Sequence, residues 1–219
     1  MKSLSAFCIV LFSAATASAA PIFFGPDTPY LSADDIPVGF YASGSPTALE
    51  DFEDGTLDFG ITASTGVVAE PGSFTDSVAA DSPGKSWFSN EGADGITFTF
   101  PHTVTAAGLV WTDGLGLVTF EAFGPGLTPL GTIGPVAIAD NSIEGTTDED
   151  SFFGVQNADG IVAIRISNSS GGIEVDHVQF GAAAAEPVPE PSTLALLGIG
   201  SLGLIGCRRR RRRKTKLAA

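Results

Sequence analysis

Cysteine is almost absent from this chain of 219 residues, which contains only Cys8 and Cys207. Neither of them lies in residues 21–185, the long central stretch that we call the body. The body can therefore form no disulfide framework and no thiolate metal site, since both require several cysteines. Its fold must depend on packing, and about 165 residues are enough for one domain with a hydrophobic core.

Basic residues are also scarce in the body, where Lys85 and Arg165 face 23 acidic residues. The body therefore has a formal net charge near −21, more negative than the −14 of the whole chain, because most basic residues lie near the C-terminus. Such a surface repels nucleic acid and anionic membranes, which excludes nucleic acid as a partner. It suits cation binding or simple solubility outside the cell.

Histidine is limited to His102 and His177, and the chain contains neither an HExxH motif nor a GxSxG motif. These absences argue against zinc-protease chemistry and against a serine nucleophile on a strand-to-helix turn. A pair of carboxylates, as in glycoside hydrolysis, stays open in a chain with so many acids. We therefore predict that the protein is not an enzyme, with a glycosidase-like enzyme as a distant alternative.

The body has the hydrophobic pattern of short β-strands and almost no helical pattern. Apolar and polar residues alternate in residues 96–100, 117–123 and 161–167, as they do in half-buried strands. Apolar segments predict further strands at residues 107–111, 130–133, 152–155 and 173–180, with turns at residues 91–95, 112–114 and 124–126. Strands at this spacing predict an all-β fold, an antiparallel β-sandwich.

The N-terminal end predicts export from the cytoplasm. Lys2 precedes the apolar residues 4–15, and Ala17-Ser18-Ala19 forms a small-x-small site for signal peptidase. We therefore assign residues 1–20 to a signal peptide. Residues 21–48 are rich in proline, glycine and serine and predict an extended N-terminal arm. The β-sandwich domain is then residues 49–182, and residues 183–188 form a linker.

The C-terminal end predicts a short membrane anchor. Residues 193–206 are apolar and precede the arginine cluster, which contains Arg208, Arg209, Arg210, Arg211, Arg212 and Arg213. Arginines beside a span stay in the cytoplasm, so this cluster sets the topology and leaves everything before it outside. The fourteen apolar residues give about 21 Å of helix against a hydrocarbon core of about 30 Å. A transmembrane helix at about residues 192–207 would thus be a marginal span that suits temporary anchoring.

Pro189, Glu190 and Pro191 stand immediately before this apolar run. The order of Pro-Glu-Pro, apolar helix and arginine cluster in residues 189–216 resembles the PEP-CTERM sorting signal of Gram-negative bacteria that make exopolysaccharide. The resemblance implies that exosortase recognises Pro189, Glu190 and Pro191 and cuts nearby. It also implies an inner-membrane precursor that moves to the cell envelope or extracellular matrix. The alternatives are a permanent tail anchor and a Pro-Glu-Pro linker that arose by chance.

Two motifs of the body, in residues 49–55 and 172–178, resemble those of secreted β-sandwiches and of jelly-roll carbohydrate-binding modules. The resemblance implies a jelly-roll-like sandwich in which Glu53 and Asp176 share a structural calcium ion; we expect no other cofactor. The alternation of apolar and polar residues along the last strand is also interrupted after Val175, because the next apolar residue, Val178, falls on the other face. This interruption predicts a β-bulge at Asp176-His177. The alternative places both acids at solvent-facing strand ends.

Trp87 is the best candidate for glycan binding, because residues 87–91 have the composition of a polar loop. The alternative is that Trp87 closes one end of the core. Glu149 and its neighbours Asp148 and Asp150 predict a solvated acidic run, and a cation site is the alternative. The predicted function is a structural role in an exopolysaccharide matrix or on the cell surface. A carbohydrate-binding module is the alternative.

Overall fold

The computed structural model describes residues 19–27, 30–72, 76–78, 84–139 and 149–184. Within these ranges the protein is all-β, and its helical residues are confined to two 3-10 turns, Ala33–Asp35 and Pro125–Leu127. Most of the predicted signal peptide and the whole C-terminal segment lie outside the described residues. None of the helices found in the described ranges is long and apolar enough to cross a membrane.

The described residues form eight strands, joined into one hydrogen-bonded antiparallel network. The two longest strands have 29 and 31 residues and make most of the pairings. In chain order the strands are β1 (Ile22–Asp27), β2 (Ala48–Glu50), β3 (Thr62–Ala63), β4 (Val67–Ala69), β5 (Ser86–Ser89), β6 (Ile96–Gly124), β7 (Thr128–Val136) and β8 (Ser151–Gly181).

The pairings between β6 and β8 fall into two groups. In the first group, residues 96–99 and 118–123 of β6 both pair with residues 163–168 of β8, and β3 and β7 pair with β6 at the flanks. In the second group, residues 106–114 of β6 pair with both 151–156 and 173–181 of β8. Strands β1, β2 and β5 pair with β8 in this group, and β4 pairs with β5.

The main core is filled by alternating side chains from both groups, and the predicted strands supply most of them. All seven predicted strand segments lie inside β6, β7 or β8. The predicted turn at residues 112–114 is wrong, because these residues continue β6 and Gly114 pairs with Ile173. The turn chemistry of Asp-Gly is local, and pairing with β8 overrides it.

A smaller core lies on the other face of the second group. It contains Tyr30, Phe40 and Tyr41 from the N-terminal arm and Val110 from β6, together with Val78, Ala106 and Phe152. The Gln156 side-chain amide donates hydrogen bonds to the carbonyls of Gly39 and Phe40, at 3.0 and 2.7 Å. The arm is thereby held against the outward face of β8, and the interior that it creates contains the candidate site.

Candidate functional site

Strand β8 contains the predicted β-bulge at Asp176-His177. Val110 pairs with Asp176 whereas Gly108 pairs with Gln179, so one residue of β6 stands opposite two residues of β8. His177 has a φ of 47°, in the left-handed region that residues other than glycine rarely adopt. The bulge lets both Val175 and Val178 reach the main core, and it leaves Asp176 on the outward face.

The two predicted calcium ligands differ in exposure. Glu53 is exposed, and its Oε1 accepts a hydrogen bond from the Lys85 backbone N–H at 2.7 Å. Asp176 is buried, and its two oxygens accept backbone N–H groups from Val78 at 3.0 Å and His177 at 2.6 Å. Burial raises the pKa of Asp176 well above its usual value, and the nearby charges of Asp51 and Glu53 raise it further. The two predicted ligands therefore lie within electrostatic range of each other.

Asp176 belongs to a larger group of buried acids that we call the acidic cluster. Each member is at most 5% exposed, although acids are seldom buried without a partner. Asp113 of β6 and Glu174 of β8 are directly paired residues, which places both at the same level of the second group. The members of the cluster are Asp76, Asp113, Glu149, Asp150, Glu174 and Asp176.

The prediction of a solvated acidic run is wrong for Glu149 and Asp150, which are 5% and 0% exposed. The Asp150 carbonyl accepts a hydrogen bond from the Tyr30 backbone N–H at 3.0 Å, so the N-terminal arm covers this segment. The next residue, Ser151, already pairs with Trp111 in β6. Residues far away in the sequence bury these acids. Such contacts cannot be recognised from the charges of the neighbouring residues alone.

Hydrogen bonding satisfies only part of the acidic cluster. The Ser86 hydroxyl donates to Glu174 Oε1, and the Asp76 backbone N–H also donates to the Glu174 carboxylate. The Thr112 hydroxyl donates to the Asp76 carbonyl at 3.1 Å. In contrast, Asp76 Oδ2 and both carboxylate oxygens of Asp150 are buried and have no hydrogen-bond partner. An isolated buried carboxylate is highly unfavourable, so these oxygens demand either a proton or a cation.

The same burial raises the proton affinity of the cluster. The pKa of Asp150 is raised to about 9, by burial first and then by the charges of Asp76, Asp176 and Glu149. The pKa of Asp76 is raised to about 8 by burial and by neighbouring carboxylates. The pKa of Glu174 is raised to about 7 by burial, although the hydrogen bond from Ser86 opposes this change. A positive charge bound in the site would lower these pKa values again.

The basic residues of the body are engaged elsewhere. Lys85 Nζ lies 3.9 Å from Glu70, and the Arg165 guanidinium contacts Glu121 and the Asp94 carbonyl. Burial lowers the pKa of His177 to about 4, and its Nδ1 lies 3.2 Å from the Tyr30 hydroxyl, so its ring is neutral near pH 7. Among the described residues, no three histidine, aspartate or glutamate side chains form a group that could hold a metal ion by themselves.

Trp87 does not lie in a loop, and the interpretation of its face as an exposed glycan platform is wrong. It lies in β5, paired with Val68 on one side and Val175 on the other. Its side chain is 9% exposed and packs in the main core against Phe52 and Phe98, with ring centroids 5.6 and 6.2 Å apart. Its indole N–H donates to the Thr65 carbonyl at 2.9 Å.

The half-buried neighbour of Trp87, Phe88, lines a surface pocket of about 200 Å³. Asn90 and Glu91 supply polar groups to the same pocket, together with Thr65, Gly66, Val67 and Ser89. An aromatic ring beside an amide and a carboxylate is a combination that can bind a sugar. Side chains alternate between the two faces along β5, so Phe88 and not Trp87 reaches this pocket.

The sorting motif Pro189, Glu190 and Pro191 and the arginine cluster lie outside the described residues. Residues 187–212 match the family model for the PEP-CTERM protein-sorting motif. A search of curated proteins found none that matches the chain. The chain thus carries a PEP-CTERM sorting segment at the position that the sequence predicts. This segment implies an exported, membrane-anchored precursor in a Gram-negative bacterium, processed by exosortase.

Proposed function

We propose that this protein is a structural component of an exopolysaccharide matrix or cell surface, delivered by signal peptidase and exosortase. The single observation that carries the proposal is the PEP-CTERM motif at residues 187–212, which follows a strongly acidic all-β body. The body's charge favours solubility outside the cell, and its cysteine-free core requires no oxidising enzyme. The protein acts without catalysis in this proposal, and turnover of polysaccharide extracts by purified protein would contradict that part.

The proposed body is a jelly-roll-like sandwich in which β6 and β8 pass between two sheets. Ring contacts between the two pairing groups support this arrangement. Phe120 stacks on Phe153 with centroids 5.7 Å apart, and Phe100 lies 5.2 Å from Phe180. Residues of both groups therefore fill one core, as the inner faces of two packed sheets do.

Fractionation of a producing culture tests the matrix role. We expect the mature protein to be enriched in the matrix fraction of wild-type cells and to move into the cell-free medium in a strain that makes no exopolysaccharide. An immunoblot against the body measures both fractions. Equal distribution in the two strains would contradict a matrix role, yet it would leave export and processing intact.

Carbohydrate binding is the second candidate function, and the pocket at Phe88 favours it. Replacement of Phe88 by alanine should weaken retention on immobilised polysaccharide from the producing cells, because a stacked aromatic ring supplies much of the binding energy for a sugar. Val38→Ala, at a fully exposed site remote in sequence from the pocket, is the control. Equal retention of both variants would remove Phe88 from the binding site.

A structural calcium ion between Glu53 and Asp176 is also proposed. Two observations support it: the bulge directs Asp176 outward, and the charge of Glu53 acts on the Asp176 carboxylate. Calcium takes six to eight oxygen ligands, so water and backbone carbonyls must complete the shell. Glu53→Gln should then reduce the stabilisation by calcium, which thermal melts with calcium and with chelator measure.

A further inference from the structure

The acidic cluster contains a feature that neither the sorting segment nor the Glu53 site uses. Asp76 and Asp150 are 3% and 0% exposed, and three of their four carboxylate oxygens have no hydrogen-bond partner. The two side chains come from different parts of the chain, since Asp76 lies between β4 and β5 and Asp150 directly precedes β8. Strand β6 brings their backbones together, because the Thr112 hydroxyl donates to the Asp76 carbonyl at 3.1 Å and the preceding residue, Trp111, pairs with Ser151. The charge of Asp76 also disfavours ionisation of Asp150.

Four more buried carboxylates lie near Asp76. The charges of Asp113, Glu149, Glu174 and Asp176 all act on Asp76. Lys85 and Arg165 are the body's two basic residues, and their side chains pair with Glu70 and Glu121. The carboxylates of the cluster repel one another where they are ionised, and this repulsion opposes folding.

We propose that Asp76 and Asp150 bind one calcium ion, which joins residues 76–78 to the start of β8. The ligand is calcium because the cluster offers oxygen donors alone, while zinc and copper prefer nitrogen or sulfur. The three free carboxylate oxygens fill part of the shell, and water and backbone carbonyls supply the rest. Such a ligand set agrees with the finding that no three described acidic or histidine side chains converge on one point.

This site uses other carboxylates than the one proposed at Glu53. Asp150 also contacts the N-terminal arm, because its carbonyl accepts a hydrogen bond from the Tyr30 backbone N–H. The charge of Asp176 acts on both Asp76 and Asp150, and the charge of Glu53 acts on Asp176. The proposal depends on the free oxygens of Asp76 and Asp150 and does not require Glu53 to bind a metal.

Thermal melts of the exported protein, purified from its host, test the site with calcium chloride, with magnesium chloride at equal ionic strength, and with EDTA. Calcium at tenfold above its Kd should raise Tm by about 3–6 °C for a domain of this size. Asp150→Asn should keep the Tm of the wild type in EDTA, or exceed it, because a buried amide does not have to take up a proton as the Asp150 carboxylate does. It should reduce the calcium shift, and Asp76→Asn should do the same.

Asp34→Asn, at an exposed aspartate, is the matched control and should keep the full calcium shift. A full calcium shift in Asp150→Asn and Asp76→Asn, or no shift in the wild type, would overturn the proposal. Loss of the whole shift in Glu53→Gln alone would overturn it too, while supporting the neighbouring site. An equal shift with magnesium would contradict the assignment to calcium. Calorimetric titration of the wild type and Asp150→Asn adds a second readout, in which the variant should bind one calcium fewer.

Discussion

Replacement of Glu190 by alanine is expected to leave the protein in the inner-membrane fraction of cells that release the wild type. Glu190 is the one charged residue of the Pro-Glu-Pro motif, inside the segment that matches the PEP-CTERM family model. The variant keeps its apolar run and its arginine cluster, so the anchor persists when processing fails. Release should fall by at least about tenfold, the change that a loss of about 1.4 kcal/mol in recognition produces.

Glu186→Ala supplies the matched control for this variant. It removes the same charge four residues earlier and just outside the matched residues 187–212, so release should continue at the rate of the wild type. Immunoblots of membrane and extracellular fractions measure both variants in a host with exosortase and in one without it. Equal release of Glu190→Ala and the wild type would show that the carboxylate is not needed for sorting.

The second large effect concerns the free energy of unfolding in the presence of chelator, which should fall as the pH rises from 7 to 9. The pKa values of Glu174, Asp76 and Asp150 are raised to about 7, 8 and 9 in the folded protein. In the unfolded chain these carboxyls titrate near pH 4, so in this window the folded state holds more protons than the unfolded state. Stability is therefore lost as the pH rises through the folded pKa values.

The slope is about 1.4 kcal/mol per pH unit for each proton that the folded state holds in excess. Several kcal/mol are consequently lost between pH 7 and 9, a large part of the stability of an ordinary domain. His177 contributes little in this window, because its folded pKa of about 4 and its usual value near 6.5 both lie below it. The loss of stability thus reports on the acidic cluster.

Urea unfolding followed by tryptophan fluorescence measures this dependence at pH 7, 8 and 9 in EDTA. Asp150→Asn should flatten the curve, because an amide does not titrate, and Asp34→Asn should not. Saturating calcium should also flatten the curve for the wild type, since bound cation keeps the carboxylates ionised. A stability that is constant or rises with pH in EDTA would contradict the raised pKa values.

The strands were predictable because their signal is local. Alternation in residues 96–100 and 161–167 reflects one buried face, and both segments lie in paired strands. The bulge at His177 was predictable for the same reason, since a slip of the apolar pattern appears in the sequence itself. The continuity of β6 and β8 could not be predicted. The sequence Asp113-Gly114 favours a local turn, but pairing with residues far away in the sequence overrides this preference.

The burial of individual site residues could not be predicted, because partners far away in the sequence cause it. Trp87 stands among polar residues, yet its pairing with Val68 and Val175 places it inside the sheet. Asp150 belongs to a run of three acids, yet the backbone of Tyr30 covers it. The scarcity of lysine and arginine was visible in the sequence, but only the fold shows that the two in the body form ion pairs with Glu70 and Glu121.

The intact mass of the extracellular protein tests the central claim most directly, namely that the PEP-CTERM segment is a temporary anchor removed by exosortase. Our account predicts a single species that begins near Pro21, ends near Pro189–Pro191 and lacks Arg208 to Arg213. The same cells without exosortase should yield the longer, membrane-bound form. Recovery of extracellular protein that still carries the complete arginine cluster would contradict the claim.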